Sequence, residues 1–319
     1  MSAAAQAKPL INVAVAVVQR KDGRVLLAER PHGKVSAGFW EFPGGKFETG
    51  ESAKQALACE MHEELGVELD VAFPWLTYEH NYQDKVVRLH FYRVLAWHGT
   101  PHGREGQRVS WEEPGSITVG PLLPANDKVL KALSLPPVYA ITDAGKYGVP
   151  DFMVRLKVAL ENGVRLIQVR ERHMMPEQFA QFARRVVIMA HAYGAKVLVN
   201  GDESLALKTG ADGIHLSATQ LIQRTTRPGA RLWAASCHNA GELARAAALQ
   251  ADFVVLSPVL PTSSHPGVAG MGWEKFASLA KSTPVPVFAL GGMKLDYLET
   301  AMHRGAHGVS LLSGIWSRR

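Results

Sequence analysis

GGKFETGESAKQALACEMHEELGV, residues 44–67, decides how the first half of the chain is read. From Ser52 to Leu65 there is no Gly or Pro and good helix formers predominate, so a helix capped by Ser52 is expected. Glu60, Glu63 and Glu64 then fall at i, i+3 and i+4, on one face of that helix. Three carboxylates so placed repel one another. A hard divalent cation relieves the repulsion through oxygen ligands, and Mg²⁺ suits such a set, with Mn²⁺ possible. A solvated acidic face is the alternative that the helix alone leaves open. Upstream, the turn Phe42-Pro43-Gly44-Gly45 lets the backbone fold sharply and lets the Gly45 carbonyl approach a metal closely.

The spacing carries more than the helix does. Gly45, five residues, Glu51, seven residues, Cys59-Glu60-Met61, one residue, Glu63-Glu64, one residue and Gly66-Val67 resemble the Nudix box, G-x5-E-x7-R-E-U-x-E-E-x-G-U with U apolar. Cys59 stands where that family has arginine, which is thought to pin neighbouring carboxylates by charged hydrogen bonds that a thiol cannot supply. The resemblance narrows to the MutT group, the 8-oxo-dGTP diphosphatases. The residues that carry it are Arg30, Glu41-Phe42-Pro43-Gly44-Gly45-Lys46, Arg104-Glu105-Gly106-Gln107 and Pro124-Ala125-Asn126.

That resemblance implies a site. Glu60, Glu63 and Glu64, with the Gly45 carbonyl, would bind catalytic metals; Glu105 would add a ligand or a base from a loop, and Glu51 would support the helix. Phe42 and Asn126 would line a base pocket, the amide offering both donor and acceptor, and Arg30 would contact the nucleotide. For these three, plain core, a helix N-cap and a surface charge remain the competing readings. The reaction implied is metal-assisted hydrolysis of a nucleoside triphosphate to monophosphate and pyrophosphate.

The chain has 319 residues, 47% of them apolar and 20% charged, with a net charge of +6. That length predicts two domains, and that composition an ordinary globular protein. Neither a leader pattern nor an apolar run of membrane-spanning length is found, so a cytoplasmic protein without membrane contact is expected. Lys and Arg are scattered rather than gathered, which argues against a nucleic-acid polymer as partner and for anionic small molecules. Cys59 and Cys237, in different expected domains and each without a CxxC partner, argue against a disulfide scaffold or a zinc site.

Around the box, Ile11–Gln19 and Arg24–Arg30 read as strands joined by a hairpin turn at Lys21-Asp22-Gly23, with further strands at Leu76–His80 and Val86–Trp97 and a short helix at Asp127–Leu133. Residues 1–133 are thus expected to form a Nudix fold, a mixed sheet flanked by helices. Residues 134–137, Ser-Leu-Pro-Pro, read as a linker.

From 138 to 319 the character changes. Apolar strands at Val138–Ile141, Leu166–Val169, Val197–Val199, Gly213–Leu216, Leu232–Ala235, Phe253–Leu256, Val285–Ala289 and Gly308–Leu311 are separated in most cases by helix-like segments. Eight such units predict a (β/α)₈ TIM barrel, whose strand C-terminal ends are the expected site. Tyr139–Asp143, Gln168–Glu171, Gly210–Leu216, Ser257–Ser263 and Ala289–Met293 resemble thiamine phosphate synthase over essentially this whole half. The resemblance implies a phosphate or thiamine-related ligand held by Gln168, Arg170, Asn200, Ser236, Thr262 and Gly292. It fails at the metal: where that family has Asn-Asp, this chain has Asn200-Gly201, and a second aspartate position is Gln220, with Asp202 one residue out of register. The synthase-like Thr-Ser-Thr-Lys is here Thr262-Ser263-Ser264-His265. A barrel without full synthase activity is expected, kept for ligand binding or for stability. A hydrolase of another diphosphate, or a binding protein with two decayed sites, are the remaining readings of the whole chain.

Overall fold

A computed structural model describes residues 8–47, 50–262, 267, 269–281 and 283–317. The chain divides into two compact units, 1–134 and 135–319.

In the first unit the strands are β1 Leu10–Val18, β2 Val25–Glu29, β3 Trp40–Glu41 and β4 Gly44–Phe47; then come helix α1 Ala53–Leu65, strands β5 Glu68–Asn81, β6 Val86–His98 and β7 Val109–Glu112, and helix α2 Asp127–Leu133. They form a four-stranded sheet, β4-β1-β6-β5, and a three-stranded one, β3-β2-β7. β1 runs parallel to β6 and antiparallel to β4, which makes the first sheet mixed.

The two-residue period of β1 decides which helix covers which face. Ala14, Ala16 and Val18 pack with Ala56, Leu57, Met61 and Leu65 of α1. Val15 and Val17 pack instead with Trp40, Phe42, Trp75 and Phe91, and with Val129 and Ala132 of α2. Ser52 caps α1 in a capping box with Gln55, and Gly66 closes it at φ 67°, a left-handed conformation that suits glycine.

The Lys21-Asp22-Gly23 turn does not produce the expected hairpin. Both edges of β1 are taken by β4 and β6, so its ladder pairing with β2 is limited to the Gln19–Val25 bridge beside the turn, and β2 joins the other sheet while still packing its side chains against β1. The strand expected at Leu76 begins earlier, at Glu68. Pro74 is tolerated there because β5 is an edge strand and its register slips between Pro74 and Thr77.

The second unit is a closed barrel of eight parallel strands: β8 Val138–Ile141, β9 Leu166–Val169, β10 Lys196–Asn200, β11 Gly213–Leu216, β12 Leu232–Cys237, β13 Phe253–Leu256, β14 Val287–Ala289 and β15 Gly308–Leu311. Helices α3 Ala144–Tyr147, α4 Val149–Glu161, α5 Pro176–Ala192, α6 Glu203–Thr209, α7 Ala218–Gln223, α8 Ala240–Ala248, α9 Gly272–Lys281 and α10 Leu298–His303 lie along it. Tyr139, Leu166, Leu198, Ala234, Phe253, Val255 and Phe288 fill the interior, which is packed rather than open. Gly213 and Gly308 lie flush against the neighbouring strand, since a Cβ on either would fall within 1.9 Å of a backbone oxygen. Among the described residues, no helix is long and apolar enough to cross a membrane.

Candidate functional site

In the first unit the acidic face of α1 meets β4. A Cβ on Gly45 would lie 1.8 Å from Glu60 Oε1 and 1.9 Å from its Cδ, so only glycine leaves room for that carboxylate against the strand. The contact also changes the environment expected for the face. Glu63 is exposed, but Glu60 and Glu64 are half-buried, because the buried stripe of α1 draws the helix down onto β1 and β4.

The loop after β6 supplies the fourth carboxylate by closing the C-terminal end of α1. The Arg104 N–H donates to Glu64 O at 3.0 Å and the His102 N–H to Leu65 O at 3.2 Å. Gln107 Nε2 donates to Glu64 O at 3.1 Å, and an Arg104 guanidinium N–H donates to His62 O at 2.9 Å. Carbonyls left over at a helix end are thereby satisfied by one short loop. The Glu105 N–H donates to Gln107 Oε1 at 2.8 Å, which fixes Glu105 beside the helix end.

Burial and mutual repulsion govern the charges. Desolvation first, and the Glu60 charge second, push the Glu64 carboxyl up to about 7. Burial and then Glu63 raise Glu60 as well. Lys34, on the loop between β2 and β3, lies 2.7 Å from Glu105 Oε2 and 3.6 Å from Glu64 Oε1, and its charge favours ionisation of Glu41, Glu60 and Glu64. Glu51 sits exposed just before the cap and adds to the repulsion on Glu60. Among the described residues, no group of three or more His, Cys, Asp or Glu side chains is gathered tightly enough to hold a metal ion. The donor chemistry nevertheless fits a hard divalent cation: oxygen ligands only, surplus negative charge, and a glycine cradle against Glu60.

The residues expected around a base are held by contacts of their own. Phe42 is buried in the apolar cluster under α2. Asn126 is buried and makes no cap bond with its side chain; its Nδ2 donates to Trp40 O at 3.1 Å. Arg30 is ion-paired with Glu41 and donates from Nε to Val35 O at 2.7 Å. Its guanidinium thus ties down the loop that carries Lys34. Burial raises the Glu41 carboxyl, and Arg30 opposes that rise. Cys59 is exposed.

In the second unit the expected residues gather at the C-terminal ends of the strands. The Arg170 N–H donates to Thr142 Oγ1 at 3.0 Å, joining the ends of β8 and β9. Asn200 Nδ2 donates to His215 O at 2.9 Å, joining β10 to β11. The His215 ring lies between Tyr139 Oη, 3.1 Å from Nδ1, and Ser236 Oγ, 2.9 Å from Nε2, and burial pushes its pKa down to about 3. Gln168 is buried on β9. Arg170 is half-buried, and burial and then the Arg172 charge lower its pKa. Gly291 and Gly292, at φ 97° and 66°, pack against Pro258–Pro261, where a Cβ would come within 2.8 Å and 2.7 Å of its neighbours. Thr262 follows β13; Ser263, Ser264 and His265 lie outside the described residues.

The barrel does not supply the magnesium carboxylates that the resemblance implies. Asp202 does not turn inward: its side chain accepts from the Leu205 N–H at 2.9 Å and caps α6. Gln220 closes a capping box with Ser217 at the start of α7. Glu171, which the strand pattern does not single out, is buried and accepts from the Ala144 and Gly145 N–H groups at 2.8 and 3.1 Å, so it holds the start of α3.

Residues 14–132 match the NUDIX domain and residues 138–315 match thiamine monophosphate synthase, so the chain belongs to the Nudix family through its first unit and to the thiamine monophosphate synthase family through its second. The CTP pyrophosphohydrolase of Escherichia coli K12 is 39% identical over 123 residues, 39% of this chain and 90% of that protein. The 8-oxo-dGTP diphosphatase of Haemophilus influenzae is 36% identical over 126 residues, 40% of this chain and 93% of that protein. For the second unit, the thiamine-phosphate synthase of Thioalkalivibrio sulfidiphilus is 29% identical over 185 residues, 57% of this chain and 88% of that protein. The first unit is therefore a Nudix hydrolase domain of the pyrophosphohydrolase kind, similar both to MutT-type and to CTP-directed enzymes.

Proposed function

We propose that the first unit hydrolyses a nucleoside triphosphate to the monophosphate and pyrophosphate with Mg²⁺, Mn²⁺ substituting, and that 8-oxo-dGTP is its substrate. The observation that carries the chemistry is the seating of Glu60 against Gly45, with Glu64 and Glu105 repelling its charge and themselves bridged by Lys34. Glu60, Glu63 and Glu64, with the Gly45 carbonyl, would hold the cations. When bound, these neutralise phosphate charge and acidify water. Glu105, held by Gln107 at the helix end, would add a ligand or accept the proton of the attacking water. Glu51 supports the cap of α1. Arg30 acts through Glu41 and the Lys34 loop, and Phe42 and Asn126 shape the wall behind Trp40 on which a base would rest.

A second nucleotide is favoured by one comparison. The CTP pyrophosphohydrolase matches over almost its whole length at an identity no lower than that of the 8-oxo-dGTP enzyme. The test is pyrophosphate release by the purified chain with Mg²⁺, across 8-oxo-dGTP, dGTP, CTP and thiamine-pathway diphosphates. Preference for 8-oxo-dGTP supports the first reading, preference for CTP the second, and no turnover of any of them rejects both. In the same assay Glu60→Gln lowers the rate by about a hundredfold or more.

For the barrel we propose a phosphate-bearing, thiamine-related ligand bound at Gln168, Arg170, Asn200, Ser236, Thr262 and Gly292, without full synthase activity. The engagement of Asp202 and Gln220 in helix caps supports this, since neither position then supplies a carboxylate to hold the cation that would offset charge developing on a pyrophosphate leaving group. Formation of thiamine phosphate at a rate typical of an enzyme would overturn it.

A further inference from the structure

Lys34 lies on the loop of residues 30–39, anchored at its start by Arg30, which pairs with Glu41 and donates to Val35 O. From that loop its ammonium group reaches 2.7 Å from Glu105 Oε2 and 3.6 Å from Glu64 Oε1. These carboxylates come from different parts of the unit, one from the last turn of α1 and one from the strap over its end. Glu60 and Glu41 lie within electrostatic range of the same ammonium group. A Lys side chain is flexible, exposed here, and strongly hydrated when released, so the arrangement can be undone at low cost. A divalent cation drawn to Glu64 and Glu105 would meet a positive charge already in contact with both.

We propose that Lys34 is a displaceable internal cation: it neutralises Glu64 and Glu105 in the metal-free protein and must be released before a divalent ion binds between them. The inference rests on the reading of the α1 face as a metal site. Lys34 is thus a positioning residue that sets how much divalent ion the unit needs. Its role is independent of which nucleotide is hydrolysed.

The test is Mn²⁺ binding to the full-length chain without nucleotide, followed by electron paramagnetic resonance. Lys34→Met should bind Mn²⁺ about fivefold more tightly than the wild type, the size of effect that a partly exposed ion pair carries. Lys34→Arg, which keeps the charge, should stay near the wild-type affinity, and Glu64→Gln should weaken binding. Circular dichroism checks that each variant is folded. Equal or weaker binding by Lys34→Met, or tighter binding by Lys34→Arg as well, overturns the role of Lys34 while leaving the metal site intact. Absence of Mn²⁺ binding by the wild type and by Lys34→Met alike overturns the metal site and the inference together.

Discussion

Gly45 and Glu60 are in such close apposition that a single added methyl group on the glycine would overlap the carboxylate, 1.8 Å from Oε1 and 2.5 Å from Cγ. Gly45→Ala must therefore swing Glu60 off the strand. Because the group displaced is a flexible side chain and not backbone, the fold survives. The expected result is turnover lowered by about a hundredfold, the penalty for misplacing a reacting group by about an ångström, with a melting temperature near that of the wild type. Rates that stay within a few-fold of wild type would remove Glu60 from the reaction.

Glu64 makes the metal-free protein sensitive to pH. Its carboxyl is raised from 4.5 to about 7 in the folded state, so the folded chain holds a proton that the unfolded chain has released. Its contribution to stability is thus fully present below pH 4.5 and is lost as the pH rises through about 7. In EDTA, Glu64→Gln should abolish that loss and leave the variant more stable than the wild type at pH 8, by about 2 kcal/mol. Parallel melting curves for the two proteins from pH 5 to 8 would contradict it.

Arg30 and Glu41 form a partly buried pair in which burial works against the carboxylate. Arg30→Ala leaves Glu41 without its counter-charge and should cost about 2 kcal/mol, measured by urea unfolding. Arg30→Ala combined with Glu41→Gln should recover most of the loss. If Arg30→Ala instead raised KM for the nucleotide at unchanged stability, Arg30 would belong to the substrate and not to the loop.

In the barrel, Asp202 is a helix cap. Asp202→Ala should destabilise the chain by about 1 kcal/mol through α6 and leave Mg²⁺ without effect on ligand binding. Asp202→Asn, which retains the capping oxygen, should be close to wild type. A dependence of thiamine phosphate binding on Mg²⁺ that vanished in Asp202→Asn would show that the carboxylate serves a metal instead.

Much of this was legible because short-range rules carried it. Ser52, Gln55 and Gly66 mark both ends of α1 by local hydrogen bonding, and the eight apolar runs of the barrel each correspond to a strand. The short helices α6 and α7 leave little mark in the sequence because seven and six residues do not hold enough of a period to stand out. The partnering of β1 was missed because a tight turn specifies proximity of its ends but not which sheet the next strand will join. Lys34 carries no local signal at all. Its meaning depends on Glu64 and Glu105, far along the chain, being brought to one place by the closure of α1. Glu171 and His215 are likewise defined by distant partners, the first turn of α3 for Glu171 and Ser236 on β12 for His215.

The strap of residues 102–107 over the end of α1 has a consequence for how the unit can vary. Surface loops ordinarily tolerate insertion and deletion, since their length is of little thermodynamic consequence. Here Arg104 and Gln107 serve carbonyls of the same helix whose face carries Glu60 and Glu64, and Glu105 lies between them. Adding one residue would shift Glu105 and uncap the helix at once. Loop length at this place is therefore inherited with the chemistry, and related chains should differ there in residue type well before they differ in length.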